Sequence, residues 1–278
     1  MFKGRKLLIA TKHQKEKVIA PILERALGVS CFVIADLDTD QFGTFTGSIT
    51  RKDTPVNTAK NKCLFGMELA SCDLAVASEG SFGPHPSLYF VPADDECLVF
   101  IDKKNDLEIV ERTISLSTNF KAAEISSEAD LAIFCEKVKF PSHGLIVRKD
   151  KDDILNIVKG IADFDVLIGI YRAYFEKFGK VYVETDMRAT YNPTRMEVIK
   201  SASIKLADKI NSFCPMCQYP GFGVTDFIQG LPCSQCHLPT QSTLSFLHTC
   251  LKCSYKMEEK YPHKKFEEDP MYCDYCNP

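Results

Sequence analysis

Eight of the thirteen cysteines lie in the last quarter of the 278-residue chain, and each belongs to a C-x-x-C pair. Two such pairs bring four thiolates together, and four thiolates are the ligand set of a closed, tetrahedral zinc site. The spacings C-x2-C-x15-C-x2-C and C-x2-C-x19-C-x2-C both fall within the range of zinc sites. We therefore expect two structural zinc ions, held by Cys214, Cys217, Cys233, Cys236, Cys250, Cys253, Cys273 and Cys276.

The pairing of these four C-x-x-C knuckles is not decided by spacing, and sequential, crossed and nested orders are all open. We favour the nested order, because the second and third knuckles flank a strand-like segment, 243–248, and together resemble one ribbon. The first knuckle would then meet the fourth. His237 and His248 are spare ligands, and with eight thiolates present we expect them to face solvent or a backbone carbonyl.

A second group of reactive side chains follows the strands predicted in the first 213 residues. Open α/β sheets bind ligands at the carboxyl ends of their strands, so these side chains are expected to converge. Carboxylates with several cations suit a phosphorylated substrate and Mg²⁺, the acids holding the metal and Lys or Arg neutralising phosphate. Glu79, with Asp40 or Asp186, is the candidate metal ligand set that activates water, and His13 is the candidate acid. The candidate phosphate contacts are Thr11, Lys15, Lys17, Arg51, Arg188, Asn192 and Arg195.

The elements that position these residues alternate between short apolar runs and helical patterns. Strands are predicted at 6–10, 31–36, 74–78, 145–148 and 181–184, with 97–101 and 107–116 antiparallel. Helices are predicted to end at Gly28, to begin after Thr54 and Ser127, and to occupy 152–178 and 194–212. The fold class is therefore α/β, with a mixed, mostly parallel sheet flanked by helices in 1–213 and a small zinc-ribbon-like domain in 214–278.

Composition excludes several classes of protein. Lys and Arg number 34 against 37 acids, a net charge of −3, so no basic excess drives binding to nucleic acid or to membranes. No apolar stretch approaches the ~20 residues that cross a bilayer. The basic N-terminus is followed by too short an apolar core for a signal peptide. We expect a soluble cytoplasmic protein, whose reduced thiols favour zinc over disulfides.

The charge of the cysteine-rich segment bears on its partners. Four thiolates around Zn²⁺ carry −2, and the segment 214–278 already has seven acids against five bases. A metal-loaded segment is anionic, which argues against nucleic acid and leaves a protein partner as the alternative. His143, in Pro141-Ser142-His143-Gly144, is predicted to satisfy a turn rather than to catalyse.

The first ~85 residues resemble the inosine/xanthosine triphosphate pyrophosphatases. The resemblance rests on Ala10-Thr11-Lys12-His13-Gln14-Lys15-Glu16-Lys17, on Thr54, Ala59 and Lys62, and on Glu79-Gly80. It implies that Glu79 binds Mg²⁺ and that Thr11 and Lys15 or Lys17 contact a triphosphate. The whole chain also resembles a bacterial family of uncharacterised proteins, through Glu79-Gly-Ser-Phe-Gly-Pro-His-Pro86, Thr185-Asp-Met-Arg-Ala189 and the four knuckles.

Two functional hypotheses follow. The first is a Mg²⁺-dependent hydrolase of a nucleotide or a related phosphoanhydride, in which Lys and Arg side chains stabilise charge on the phosphates. The second is a non-catalytic binding or adaptor protein, whose zinc domain docks a partner while the α/β domain senses a small anion.

Overall fold

A computed structural model describes residues 1–35, 37 and 53–278, and the chain divides into a first unit, Met1–Ala207, and a second unit, Asp208–Pro278. The predicted residues Asp40 and Arg51 lie outside the described part. None of the helices in that part combines the length and apolar character needed to cross a bilayer.

The first unit begins with a five-stranded mixed sheet of strand order β2-β1-β3-β4-β5. The pairs β1–β2 and β1–β3 are parallel, whereas β3–β4 and β4–β5 are long antiparallel pairs. The strands are β1 (Lys6–Ile9), β2 (Ser30–Phe32), β3 (Leu74–Pro84), β4 (Pro92–Asp102) and β5 (Leu107–Ser115).

Two helices accompany this sheet, and both obey the expected end signals. Helix α1 (Glu16–Leu27) ends at Gly28, whose φ of 65° is left-handed and whose N–H bonds the carbonyl of Glu24. Helix α2 (Pro55–Ala70) begins at Thr54, whose hydroxyl accepts a hydrogen bond from the Asn57 N–H at 3.2 Å. Its inner face packs on one side of the sheet, where Ala59, Cys63 and Met67 join the apolar residues of alternate strand positions.

A second sheet of the first unit has the order β6-β9-β7-β8, and all its pairs are antiparallel. Its strands are β6 (Ala122–Ile125), β7 (Leu145–Arg148), β8 (Ile157–Ile161) and β9 (Val181–Thr185). Helices α3 (Glu128–Lys137) and α4 (Phe164–Phe178) supply Leu131, Phe134, Leu167 and Tyr171 to the core on one face. Ser127 caps α3, and Asp163 caps α4.

Three expectations require correction. Most strand pairs in the described part are antiparallel rather than parallel, because hairpins rather than crossover helices connect β3, β4 and β5. The segment 152–178 is not all helical, since Ile157–Ile161 forms β8 and pairs with β7. Residues 79–84 continue β3 instead of forming a loop. In both segments, cross-strand pairing overrides the local sequence signal.

Helix α5 (Pro193–Ile210) has a histidine cap at its start. The Thr194 N–H donates to His143 Nε2 at 3.3 Å, and His143 Nδ1 lies 3.0 Å from Ser142 Oγ. Ser142 in turn donates to the Lys139 carbonyl. Burial, and then the charge of Lys139, lower the pKa of His143 below 6.5. His143 therefore satisfies a turn as a neutral imidazole.

The second unit contains an antiparallel sheet of three consecutive strands, β10-β11-β12. The strands are β10 (Gly223–Gln229), β11 (Thr243–Thr249) and β12 (Lys256–Lys260). Each of the four C-x-x-C knuckles lies before, between or after these strands, so the order of the strands decides which knuckles meet.

Candidate functional site

The four knuckles share one backbone geometry. In each, the residue after the second cysteine donates its N–H to the carbonyl of the first cysteine, at 2.9–3.0 Å. That residue is left-handed in three of the knuckles, with φ of 57° at Gln218, 60° at His237 and 59° at Ser254. The tight turn brings the two sulfurs of each pair to the same side.

The knuckles form two clusters whose sulfur atoms all lie within 4.8 Å of one another. One consists of Cys214, Cys217, Cys250 and Cys253, and the other of Cys233, Cys236, Cys273 and Cys276. Sulfurs of opposite knuckles are 3.5–3.9 Å apart. A tetrahedron at the Zn–S bond length of ~2.3 Å has edges of about 3.8 Å. The clusters could each hold a metal ion, and the spacing fits zinc.

The nested pairing favoured by the sequence is wrong, because the structure pairs the knuckles in a crossed order. Successive connections of an antiparallel meander lie at alternate ends of the sheet. The first knuckle precedes Gly223 and the third follows Thr249, and these two residues are partners in the register. The second and fourth knuckles lie beyond the other ends of the strands, roughly 20 Å away for a seven-residue β10.

Four thiolates complete a tetrahedron and leave no position for a substrate, so these clusters suit structural metal rather than catalysis. The first cysteine of every knuckle is buried. Neither spare histidine belongs to a cluster: His237 occupies a knuckle turn, and His248 Nε2 lies 2.9 Å from Glu259 Oε2.

The first unit has a polar face on its five-stranded sheet, opposite the face that packs on α2. Side chains alternate between faces along a strand, and Ala75, Ala77, Cys97 and Val99 lie on the α2 side. The intervening positions carry apolar residues such as Val76 and Phe100 at one end of the strands, and polar or small residues at the other end. We call these five residues the polar face: Ser78, Gly80, Asp94, Glu96 and Thr113.

Arg195 reaches this face from α5. Its Nε donates to Glu96 Oε1 at 2.6 Å, its Nη1 donates to the Met187 carbonyl at 2.6 Å, and its guanidinium lies 5.0 Å from the Phe82 ring centroid. Asn192 accepts from the Arg195 N–H at 3.0 Å. Arg195 and Glu96 are both fully buried, so they form an ion pair that is shielded from water.

Gly80 makes room for that pair. A Cβ at this position would lie 2.4 Å from Glu96 Oε1 and 2.6 Å from Arg195 Nη2. No Cβ is found at such distances, so a larger residue at 80 would displace the carboxylate. Glycine is therefore required here by close packing and not by an unusual backbone angle.

Lys15 approaches the same face from the start of α1. Its Nζ donates to Ser78 Oγ at 2.9 Å, and the lysine is only 5% exposed. Burial, and then the charge of Arg195, lower the pKa of Lys15 to about 7, although the charges of Glu96 and Glu79 act in the opposite direction. His13 and Gln14, just before it, have left-handed φ of 65° and 59°. This backbone turn directs the lysine inward.

Asp94 is the most unusual member of the polar face. It is fully buried, and neither of its carboxylate oxygens has a hydrogen-bond partner in the described part of the chain. Burial and the neighbouring Glu96 raise the pKa of Asp94 to about 8. Glu96 Oε2 and Thr113 Oγ1 are likewise buried without a partner among the described residues. Four oxygen atoms on one face are thus left unsatisfied.

The two acids proposed as metal ligands from the sequence have separate partners. Glu79 lies on the α2 side of the sheet and pairs with Lys62 at 2.5 Å. Asp186 accepts from the Gly160 N–H at 3.1 Å and pairs with Arg188, whose guanidinium stacks on Tyr191. In the described residues, the groups of three or more potential ligands are the two cysteine clusters.

The remaining predicted residues are placed as follows. Thr11 Oγ1 donates to the Lys12 carbonyl, and Lys17 Nζ donates to Gln14 Oε1 at an exposed position. Asn192 is buried and donates to Asn119 Oδ1 at 2.7 Å. Of the predicted phosphate contacts, Lys15 and Arg195 are therefore the ones that meet at the polar face.

Asp94, Glu96 and Thr113 were not identified from the sequence. The signal for them was present, because Asp94, Glu96, Leu98 and Phe100 occupy every second position of a single strand. Acids in phase with the buried positions of a strand indicate charged groups facing inward. Their partner, Arg195, lies 99 residues away from Glu96, which no local pattern reveals.

Comparison with protein families matches residues 62–278 to one family model, a domain of unknown function designated DUF6671. The matched region includes the polar-face residues, Arg195 and all eight cluster cysteines, whereas Lys15 precedes it. A search of curated proteins finds no match to the chain.

Proposed function

The chain belongs to the DUF6671 family, a domain of unknown function, and we propose that its first unit is a metal-dependent hydrolase of nucleotides or related phosphoanhydrides. The single observation that carries the proposal is the meeting of Lys15, Arg195, Asp94 and Glu96 at one buried face of the sheet. Each pair among Lys15, Arg195 and Glu96 interacts electrostatically, and Asp94 interacts with all three.

This set of charges suits hydrolysis at phosphorus. A water oxygen adds to the phosphorus, the anhydride oxygen leaves with the bonding electron pair, and the proton of water passes to solvent. The transition state carries negative charge on the phosphoryl oxygens, which buried cations stabilise far better than solvated ones. In this proposal, Lys15 contacts a phosphate oxygen and Arg195 holds Glu96 in position.

The zinc clusters have a separate role in the proposal. Closed four-thiolate sites stabilise the second unit and perform no chemistry. Eight thiolates remain reduced only in a reducing compartment, which supports a cytoplasmic location.

Turnover of a nucleotide panel tests the hydrolase. Zinc-loaded protein is incubated with nucleoside di- and triphosphates and Mg²⁺, and released phosphate and pyrophosphate are measured. We expect Lys15→Met to lower kcat/KM about 10²–10³-fold, the loss typical of one charge-stabilising group. The control is Lys60→Met, which removes an exposed lysine that pairs with Glu108 on the other side of the sheet. No turnover across the panel, or equal losses in both variants, would overturn the proposal.

An adaptor remains the second candidate, and a specific feature favours it. Strand β10 of the second unit exposes Val224 and Phe227 by 44–56% on one face of the strand, and this apolar pair suits a protein partner better than nucleic acid. Binding of a nucleotide without any turnover would favour this function over hydrolysis.

A further inference from the structure

Three residues of the polar face lie close together on neighbouring strands. Glu96 of β4 is directly opposite Thr113 of β5, and Asp94 lies two residues earlier on β4. Directly opposed side chains on one face of an antiparallel pair have Cβ atoms about 4.5–5.5 Å apart. Residues two apart on a strand share that face. The register therefore brings two carboxylates and a hydroxyl together.

These side chains leave four buried oxygens without hydrogen bonds from the described residues: Asp94 Oδ1 and Oδ2, Glu96 Oε2 and Thr113 Oγ1. Native structures leave few buried polar atoms unsatisfied, because each one loses its hydration without replacement. The other oxygen of Glu96 is bound by Arg195. These four oxygens are thus confined to one spot and are all electron-pair donors, and the Arg195 guanidinium lies beside them through its bond to Glu96 Oε1.

We propose that Asp94, Glu96 and Thr113 bind one divalent cation of the hard, oxygen-preferring class, such as Mg²⁺ or Mn²⁺. The inference rests on the proposed function, for which it supplies the metal ligands. Carboxylate and hydroxyl oxygens suit these cations, whereas zinc prefers the thiolates of the second unit. Two protein carboxylates, one hydroxyl and several waters complete an octahedral shell, as Mg²⁺ usually requires.

The surroundings fit a cation that binds together with its substrate. Once a bound cation has displaced the proton that the raised pKa of Asp94 retains, the two carboxylates carry −2 and Arg195 carries +1, so the protein groups alone are only weakly anionic. Lys15, which donates to Ser78 Oγ on the neighbouring strand β3, adds a further positive charge at this face for a phosphate to contact. Gly80 allows the Glu96 carboxylate to lie close to the backbone of β3.

Manganese titration of the zinc-loaded full chain tests the site without reference to catalysis. Mn²⁺ binding is measured at neutral pH by electron paramagnetic resonance and by calorimetry. We expect one Mn²⁺ per chain beyond the zinc, displaced by Mg²⁺. Asp94→Asn should weaken binding at least tenfold, and the isosteric Thr113→Val should weaken it by a smaller factor.

The matched control is Asp95→Asn. Asp95 lies next to Asp94 in sequence but points to the other face and pairs with Arg112, so Mn²⁺ affinity should be unchanged. Wild type without this Mn²⁺, or binding equal in wild type, Asp94→Asn and Thr113→Val, would overturn the site, and ordered water would then be the occupant. Mn²⁺ binding without nucleotide turnover would keep the site and remove the hydrolase. Turnover without Mn²⁺ binding would remove the site and keep the hydrolase.

Discussion

The two units hold their interiors together by different means. Among the described residues of the first unit, one apolar cluster lies between α2 and the five-stranded sheet and another lies between α3, α4 and the four-stranded sheet. The described apolar cluster of the second unit is built on Cys214, Phe222 and Cys250, with Tyr219 and Tyr255 at its margin. Two of its three buried members are also candidate metal ligands.

The polar interiors differ in the same way. In the second unit the polar groups brought together are thiols arranged by local turns, and one ion could bind four of them at once. In the first unit they are charged side chains from residues 15, 94, 96 and 195, which meet only after the whole unit has folded. We therefore expect the second unit to depend on bound metal, whereas the first unit depends on tertiary packing.

Removal of metal should give the largest difference in stability between the two units. We expect a chelator that extracts zinc to unfold the second unit completely, because structural zinc supplies ~10–16 kcal/mol of apparent binding free energy in small domains. Hydrogen exchange should show loss of protection in β10–β12 while β3–β5 stay protected.

A matched pair of cysteine variants controls for the chelator. Cys250→Ser should lose metal and protection in the second unit, whereas Cys72→Ser, in the first unit, should keep the full zinc content. Simultaneous loss of protection in both units would contradict the independence of their stabilisation.

Removal of the buried charge pair should affect the first unit alone. Arg195→Met leaves Glu96 buried and without its cation, and breaking such a pair typically costs about 3–5 kcal/mol. Denaturant unfolding followed by exchange in β3–β5 measures the loss. Arg172→Met removes an exposed pair with Glu128 and should have little or no effect. An equal loss of stability in the two variants would show that burial does not determine how much an ion pair contributes to the stability of the first unit.

A smaller effect is expected from acid, through His143. Its pKa is lowered in the folded state, so the unfolded chain takes up the proton first as pH falls. The stability of the first unit should therefore be fully present above pH 6.5 and decline as pH falls below it. His143→Gln should flatten this decline in denaturant unfolding at pH 5–8. An unchanged slope in the variant would exclude His143 as the source.

Local signals in the sequence predicted much of the fold. Gly28, Thr54 and Ser127 end or begin helices as expected, because capping depends on one residue and its immediate neighbours. The cysteine clusters were predicted for the same reason, since a C-x-x-C turn is local. Their pairing was not, because it depends on the order of β10, β11 and β12.

The rest of the first unit depends on long-range pairing. Strand β8 follows from its register with β7, and the polar face follows from the register of three long strands. Glu79 was expected at the metal site, but one residue of strand register decides the face of the sheet, and it places Glu79 against α2. The sequence shows which residues occupy alternate positions of a strand. The pairing of the strands decides on which face of the sheet each set of side chains lies.

The crossed order of the knuckles has a consequence for biosynthesis. Cys233 and Cys236 leave the ribosome before their cluster partners, and 40 residues separate Cys236 from Cys276. At about 5–20 residues per second, translation of that interval takes roughly 2–8 s. During this time the thiols of the nascent chain have no metal bound. They are then most exposed to oxidation and to the binding of another metal ion.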